Sequence, residues 1–196
     1  MTPMAAINDH GALPEGEQGC RDFHGNPPTA RLFFALWPDA ALCRSLLPLV
    51  QPLHGTLAAR WIKPANYHIT LAFLGAVPQA CIPPLTALAG GLPFAPCELS
   101  LQRLECWPRA QVLCLTATPP PALLDLVSGL NTVAGQLGLP VEHRPFLPHL
   151  TLARRVRRRL PPQAITPLAW PLRDFCLVES RLNTTGSSYT VLQRWP

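Results

Sequence analysis

Two stretches of this chain nearly repeat one another: His68-Ile69-Thr70-Leu71-Ala72 and His149-Leu150-Thr151-Leu152-Ala153. Alternate side chains of a β-strand share a face, so a His and a Thr two residues apart point the same way, roughly 7 Å apart at their Cα atoms. The same alternation turns Ile69 with Leu71, and Leu150 with Leu152, to the opposite face and toward a core. Two such strands around one cavity would gather two imidazoles and two hydroxyls, a set of groups suited to acid–base chemistry on a phosphate.

The flanking segments predict the setting of each string. Residues 31–36 (RLFFAL) read as an apolar strand. Trp37-Pro38-Asp39 breaks it, and Asp39 caps a helix whose stripe is Leu42, Leu46, Leu47 and Val50, kinked or shortened at Pro48. A short connection, 60–64, leads to a strand over 67–74 that Gly75 ends. Residues 78–91 suggest a short helix disturbed by Pro83 and Pro84, and 97–104 with 111–118 a strand pair about a Trp-Pro turn. The clearest helix is 121–137, with Leu123, Leu126, Val127, Leu130, Val133 and Leu137 at helical spacing and Gly138 as its stop. Arg144-Pro145-Phe146-Leu147-Pro148 is a rigid approach to the second string, 154–159 is a basic run, and 175–182 with 189–193 form a closing hairpin across a Gly-Ser turn. Helices mixed with antiparallel neighbours make the class α+β. Each His-Thr strand follows a helix, which predicts two similar halves facing each other across a groove.

Composition limits the alternatives. Of the 196 residues 48% are hydrophobic and 14% charged, which excludes a disordered chain and provides for a real core. No apolar run reaches the ~18–20 residues of a membrane span, and residues 1–30 lack the apolar stretch of a signal peptide and read as a flexible tail before a single domain over 31–196. The seven cysteines are scattered with no C-x-x-C spacing, so they read as small buried hydrophobes in a cytoplasmic protein. The net charge is +5 and Lys63 is the sole lysine. Arginine grips phosphate through a planar fork, so the balance suits an anionic substrate or RNA without requiring one.

With their flanks, the two strings resemble the 2H phosphoesterases, and among them the bacterial RNA 2′,3′-cyclic phosphodiesterases, also called 2′–5′ RNA ligases. The resemblance rests on the opening RLFFAL-W-P, on Asn66-Tyr67-His68-Ile69-Thr70-Leu71-Ala72-Phe73-Leu74-Gly75, on Arg144-Pro145-Phe146 with Pro148-His149-Leu150-Thr151-Leu152 and Arg154, and on the closing strands up to Trp195. It spans about residues 31 to 196, in the family's order. It implies a bilobal, pseudo-twofold fold of two antiparallel-rich sheets with helices outside and both H-x-T motifs in a central cleft. It further implies hydrolysis of a 2′,3′-cyclic phosphate at an RNA end to a 2′-phosphate, with 2′–5′ ligation as the reverse, and needs no metal or cofactor. By the same resemblance His68 is the proton donor, His149 the acceptor, and Arg154 a phosphate contact. The residues alone leave open which histidine does which.

Thr70 and Thr151 are candidate hydrogen-bond donors to phosphate oxygens. Strict alternation would turn Arg154 away from His149 and Thr151, so it reaches the cleft only from the strand end or a bulge. Arg144 either meets phosphate or stabilises the approach loop. Phe34 and Phe73 are candidates to stack a base, with core packing the stronger expectation for both. Arg155, Arg157, Arg158 and Arg159 read as a solvated loop, and His10, His24, His54 and His143 as structural or exposed. Other readings stay open: a cyclic nucleotide or ADP-ribose cyclic phosphate as substrate, a metal-dependent hydrolase using His68, His149 and His143, and a non-catalytic RNA-binding module. A cleft between two lobes of one chain needs no second copy, so a monomer is expected, with RNA ends or small cyclic nucleotides as its partners and no membrane.

Overall fold

The computed structural model describes residues 27–158, 160–184 and 186–196; the tail expected over 1–30 falls almost wholly outside them. Apolar alternation on both faces of the first strand, β1 (Thr29–Leu36), makes it a central strand: all five of its last residues are buried. Asp39 then caps α1 (Ala40–Ser45), its carboxylate accepting from the Leu42 amide at 2.8 Å, an interaction worth about 1 kcal/mol. Pro48 ends that helix and opens α2 (Leu47–His54), where a proline in the first turn loses no hydrogen bond. The connection that follows contains a two-residue strand, β2 (Arg60–Trp61), and leads to β3 (Ile69–Pro78). Gly75 does not end β3 as its identity suggested; it takes φ +72° inside the strand, a conformation glycine adopts without penalty.

Pro83 and Pro84 likewise do not disturb the next helix. α3 (Ile82–Gly90) starts immediately before them, so they occupy its first turn. β4 (Cys97–Trp107) and β5 (Val112–Thr116) form the expected pair, and α4 (Pro121–Gln136) buries the predicted stripe from Leu123 to Val133. β6 (His149–Arg154) carries the second string. Next comes a strand that sequence reasoning missed, β7 (Gln163–Leu172), and the chain closes with the hairpin of β8 (Phe175–Asn183) and β9 (Gly186–Trp195). The hairpin closes at Asn183 opposite Gly186, so the Gly-Ser pair lies within β9 rather than in the turn.

All strand pairings among the described residues are antiparallel. One sheet has the order β3-β1-β8-β9 and the other β2-β6-β5-β4-β7. Apart from the added edge strand β2, these are the same pattern: an H-x-T strand, the strand that precedes its helix, and two further strands. The halves are therefore related by a pseudo-twofold, as expected. One large apolar core joins both sheets and helices α1 to α4, with Phe34, Tyr67, Leu85, Leu113 and Leu130 among its buried members. Trp195 seals it at the end of β9, stacking on Phe175 and lying so close to α3 that a side chain at Gly90 would meet its indole nitrogen at 2.9 Å. Among the described residues no helix is long and apolar enough to cross a membrane.

Candidate active site

Both H-x-T strands depart from regular pairing at the same place. On β3, Ala35 pairs with Thr70 and Phe34 with Ala72, so Leu71 is left over as a bulge. On β6, Cys114 pairs with Thr151 and Leu113 with Ala153, so Leu152 is left over. Each bulge sits one residue past the threonine. A bulge resets the alternation, which turns Leu152 and Ala153 both inward and brings Arg154 onto the face of Thr151. The bulge that Arg154 needed is thus present. On β3 the same reset buries Leu71 and Ala72 and brings Phe73 onto the face of Thr70.

These faces line a groove of about 980 Å³ between the sheets, walled by His68, Thr70, Thr151, Arg154 and Tyr189 among others. Arg31, Arg60 and Lys63 add three more cations, and among the described residues no carboxylate lines it. Arg60 pairs in register with Arg154, so the short strand β2 sets two guanidinium-bearing residues side by side. Sequence reasoning missed Arg31, Arg60, Trp61 and Lys63 as lining residues. The strand that carries Arg60 and Trp61 is only two residues long, too brief to read as a strand.

The two histidines are held alike. His68 Nδ1 lies 2.8 Å from the carbonyl oxygen of Asn66, and His149 Nδ1 lies 3.0 Å from that of Leu147. In each case the carbonyl belongs to the second residue upstream and accepts from Nδ1–H. That leaves Nε2 as the nitrogen with a proton to give or take. His149 does not line the groove volume itself; it opens β6 two residues from Thr151, with its ring 4.7 Å from that of Trp107. Trp107 is in turn fixed by Glu105, whose carboxylate accepts from the Trp107 indole at 3.0 Å and from Arg103 at 3.1 Å. These bonds, the indole's first, hold the Glu105 carboxyl below the usual carboxylate range.

His68 sits in a different medium. Trp37 stacks on it, with planes 7° apart and centroids at 5.3 Å, while Phe33 and Tyr189 close in at 5.1 and 5.0 Å. Burial among these rings pushes its pKa down to about 4; the bond to Asn66 opposes this, and the positive charges of Arg154 and His149 add to it. In the free protein at neutral pH, His68 is therefore neutral, the form that accepts a proton.

The expectation of core packing holds for Phe34, whose base-contact alternative falls away, and fails for Phe73. Phe34 does not reach the groove. It is fully buried in the main core against Phe175 and Trp195, and its neighbour Phe33 faces His68 instead, since adjacent strand residues take opposite faces. Phe73, expected in the core, is 45% exposed in the groove with the Arg31 guanidinium 4.8 Å above its ring. Arg144 is held by both oxygens of Glu142 and lies outside the groove lining. Arg155, Arg157 and Arg158 are accessible or loop-borne as expected; Arg159, His10 and His24 lie outside the described residues. His143 is exposed and His54 rests on Trp61. Among the described residues no three His, Cys, Asp or Glu side chains converge, so a zinc reading through His68, His149 and His143 has no ligand set here.

Comparison with known proteins agrees with this fold. The family model of the LigT-like phosphoesterases matches residues 36–114. The chain is 31% identical over 168 residues to the RNA 2′,3′-cyclic phosphodiesterase of Escherichia coli K12, covering 84% of this chain and 95% of that one. It is equally 31% identical over 182 residues to the enzyme of the same name from Thermus thermophilus, covering 84% and 89%. Among solved structures, E. coli LigT complexed with 3′-AMP superposes with a TM-score of 0.76 at 30% identity, covering 85% of this chain and 97% of that one.

Proposed function

This chain belongs to the LigT-like phosphoesterases of the 2H superfamily, and from that premise we propose that it is an RNA 2′,3′-cyclic phosphodiesterase. It opens the cyclic phosphate at an RNA end to a 2′-phosphate and a free 3′-hydroxyl. The observation that carries this reading is the matched pair of imidazoles, each tied through Nδ1 and free at Nε2, at the edge of a groove whose charged lining residues are cations. Relatives over most of the chain carry the same activity in their names, and one is solved with 3′-AMP, a nucleoside phosphorylated on its ribose.

In the proposed reaction one Nε2 takes a proton from water as the water oxygen bonds to phosphorus. The other gives a proton to O3′ as the P–O3′ bond breaks. Thr70 and Thr151 donate to the non-bridging oxygens and Arg154 balances their charge. The resemblance makes His68 the donor. For that, the anionic substrate must bring a proton onto a ring that is neutral in the free protein, and a phosphate beside it does so by reversing the sign of the local field. With a 5′-hydroxyl in place of water, the same steps join the cyclic end to it: the 5′ oxygen bonds to phosphorus, the P–O3′ bond breaks, and a 2′–5′ linkage with a free 3′-hydroxyl results. Phe73, exposed in the groove, is the aromatic surface for a base, and Arg31, Arg60 and Lys63 attract the RNA backbone. All of these groups come from one chain, which supports a monomer, and RNA ends as substrates support action in the cytoplasm.

The test is an RNA oligomer ending in a 2′,3′-cyclic phosphate, incubated with the protein in EDTA, with 2′- and 3′-phosphate products resolved. A 2′-phosphate product that disappears in His68→Ala and His149→Ala supports the reading. No turnover of this oligomer or of cyclic mononucleotides would end it, and RNA affinity surviving both substitutions would then favour a binding module.

A further inference from the structure

The strand that opens on one histidine of the pair runs out into a cluster of positive charge. β6 begins at His149 and ends at Arg154, and Arg155, Arg157 and Arg158 follow it, all exposed. This loop packs against the link between β4 and β5, where Arg109 is also exposed. The Gln111 carbonyl accepts from the Val156 amide at 3.1 Å, and the Cys106 thiol donates to the Arg158 carbonyl at 3.6 Å. Val156 is buried between its exposed neighbours and pins the loop. Among the described residues no carboxylate forms an ion pair with Arg109, Arg155, Arg157 or Arg158. Like charges gathered this way repel one another, and an anion brought from outside relieves that repulsion.

The backbone supplies a second observation. Gln111 and Arg155, which the bond to Val156 brings together, have φ +53° and +59°, and among the described residues they are the two non-glycine residues in the left-handed region. Glycine adopts that conformation freely, whereas a residue with a side chain does so at a cost. Position 155 thus carries a guanidinium where the backbone alone would favour none, and such strain gathers where ligands are held. The ligand follows from chemistry. A 2′,3′-cyclic phosphate uses O2′ and O3′ of the last ribose, so the rest of the RNA leaves through O5′ with a phosphate at every nucleotide. The paired Arg60 and Arg154 line the groove, and the chain passes from Arg154 directly into the loop. We propose that loop 155–158, with Arg109 beside it, holds the phosphates of the RNA strand upstream of the cyclic end, so that the protein takes the ends of chains in preference to cyclic mononucleotides. This rests on the cyclic phosphodiesterase reading above. Because the loop is pinned in advance, little of it has to be ordered when the strand arrives.

The experiment uses the whole protein with an RNA heptamer ending in a 2′,3′-cyclic phosphate and with the cyclic mononucleotide of the same terminal base. In Arg155→Gln/Arg157→Gln/Arg158→Gln the heptamer KM rises about tenfold at unchanged kcat, while both constants for the mononucleotide stay as in wild type. Fluorescence anisotropy with a labelled heptamer ending in a 3′-hydroxyl reads binding apart from turnover. There the slope of log Kd against log salt lessens by about 2 in the triple variant, at roughly 0.7 per phosphate contact on a single strand. Arg157→Gln/Arg158→Gln leaves the left-handed residue untouched and lessens the slope by about 1.4, which keeps the test in force if the triple variant fails to fold. An unchanged heptamer KM or an unchanged salt slope in a folded variant overturns the proposal. So does an equal loss on heptamer and mononucleotide, which would put the loop at the reacting phosphate. Failure of wild type to turn over either substrate overturns the phosphodiesterase reading instead, and the anisotropy measurement then judges the loop by itself.

Discussion

The two H-x-T strands are alike in backbone and unlike in surroundings. β3 and β6 each carry a threonine two residues after a histidine and a bulge at the next residue, and each of those histidines, His68 just before β3 and His149 opening β6, meets the second carbonyl upstream through Nδ1. Around them the lobes diverge. His68 is enclosed by Trp37, Phe33 and Tyr189, while His149 packs against Trp107, which Glu105 holds in place. The shared part sets the geometry that two proton transfers need. The divergent part gives His68 an aromatic enclosure that disfavours its charged form, so a duplicated motif is set in two different media.

The most severe way to break the comparison is to remove either imidazole. We predict that His68→Ala and His149→Ala each lower kcat by at least ~10²-fold; a variant that keeps wild-type turnover would show that only one strand is chemically engaged. Thr70→Val and Thr151→Val should each cost no more than about 10²–10³-fold, the range for one lost oxyanion donor. Comparable losses would extend the equivalence of the strands to the phosphate contacts, and a loss confined to one would end it there.

The enclosure of His68 predicts an effect on stability. Its pKa of about 4 in the folded chain lies below the ordinary 6.5, so between these values the unfolded chain binds more protons. Stability is then full above about pH 6.5 and falls as pH drops toward 4, by roughly 3 kcal/mol at most. Urea unfolding from pH 7 to pH 4 should show this fall, and His68→Gln should flatten it. An unchanged pH dependence in His68→Gln would mean that the aromatic enclosure does not oppose protonation. Saturating inorganic phosphate should raise the His68 pKa, read from its ring proton shifts. The smallest expected effect is that of Glu105→Gln, which loosens Trp107 behind His149. It should lower kcat by about tenfold, within the cost of a small misplacement, and leave KM unchanged; a change in KM alone would make Glu105 part of substrate binding instead.

The site was legible where chemistry alone identifies residues, and less so where register decides. The histidines and threonines stand out by their repeat. Whether Phe33 or Phe34 faces the groove depends on how β1 pairs with β3, which no composition rule specifies. Phe73 looked like a core residue because the bulge at Leu71 is a property of two strands together. β7 escaped notice because Pro167 and Pro171 argue against a strand, yet β7 is an edge strand, where an absent amide donor is tolerated. β2 is too short for any period, and Gly75 and Pro83 carry the same local signals as true breaks.

Strand order also has a temporal meaning. β1 is sandwiched between β3 and β8, so the sheet that holds His68 joins some of the earliest described residues to the last. Strands β4 to β7 and α4, by contrast, pair within a contiguous stretch. On a ribosome the second lobe can assemble while the first still has an open edge, and Tyr189 reaches His68 only after the strands of the second lobe have been made. Long-range strand pairing of this kind is slow, which makes docking of the β8–β9 hairpin the event that completes both the first sheet and the surroundings of His68.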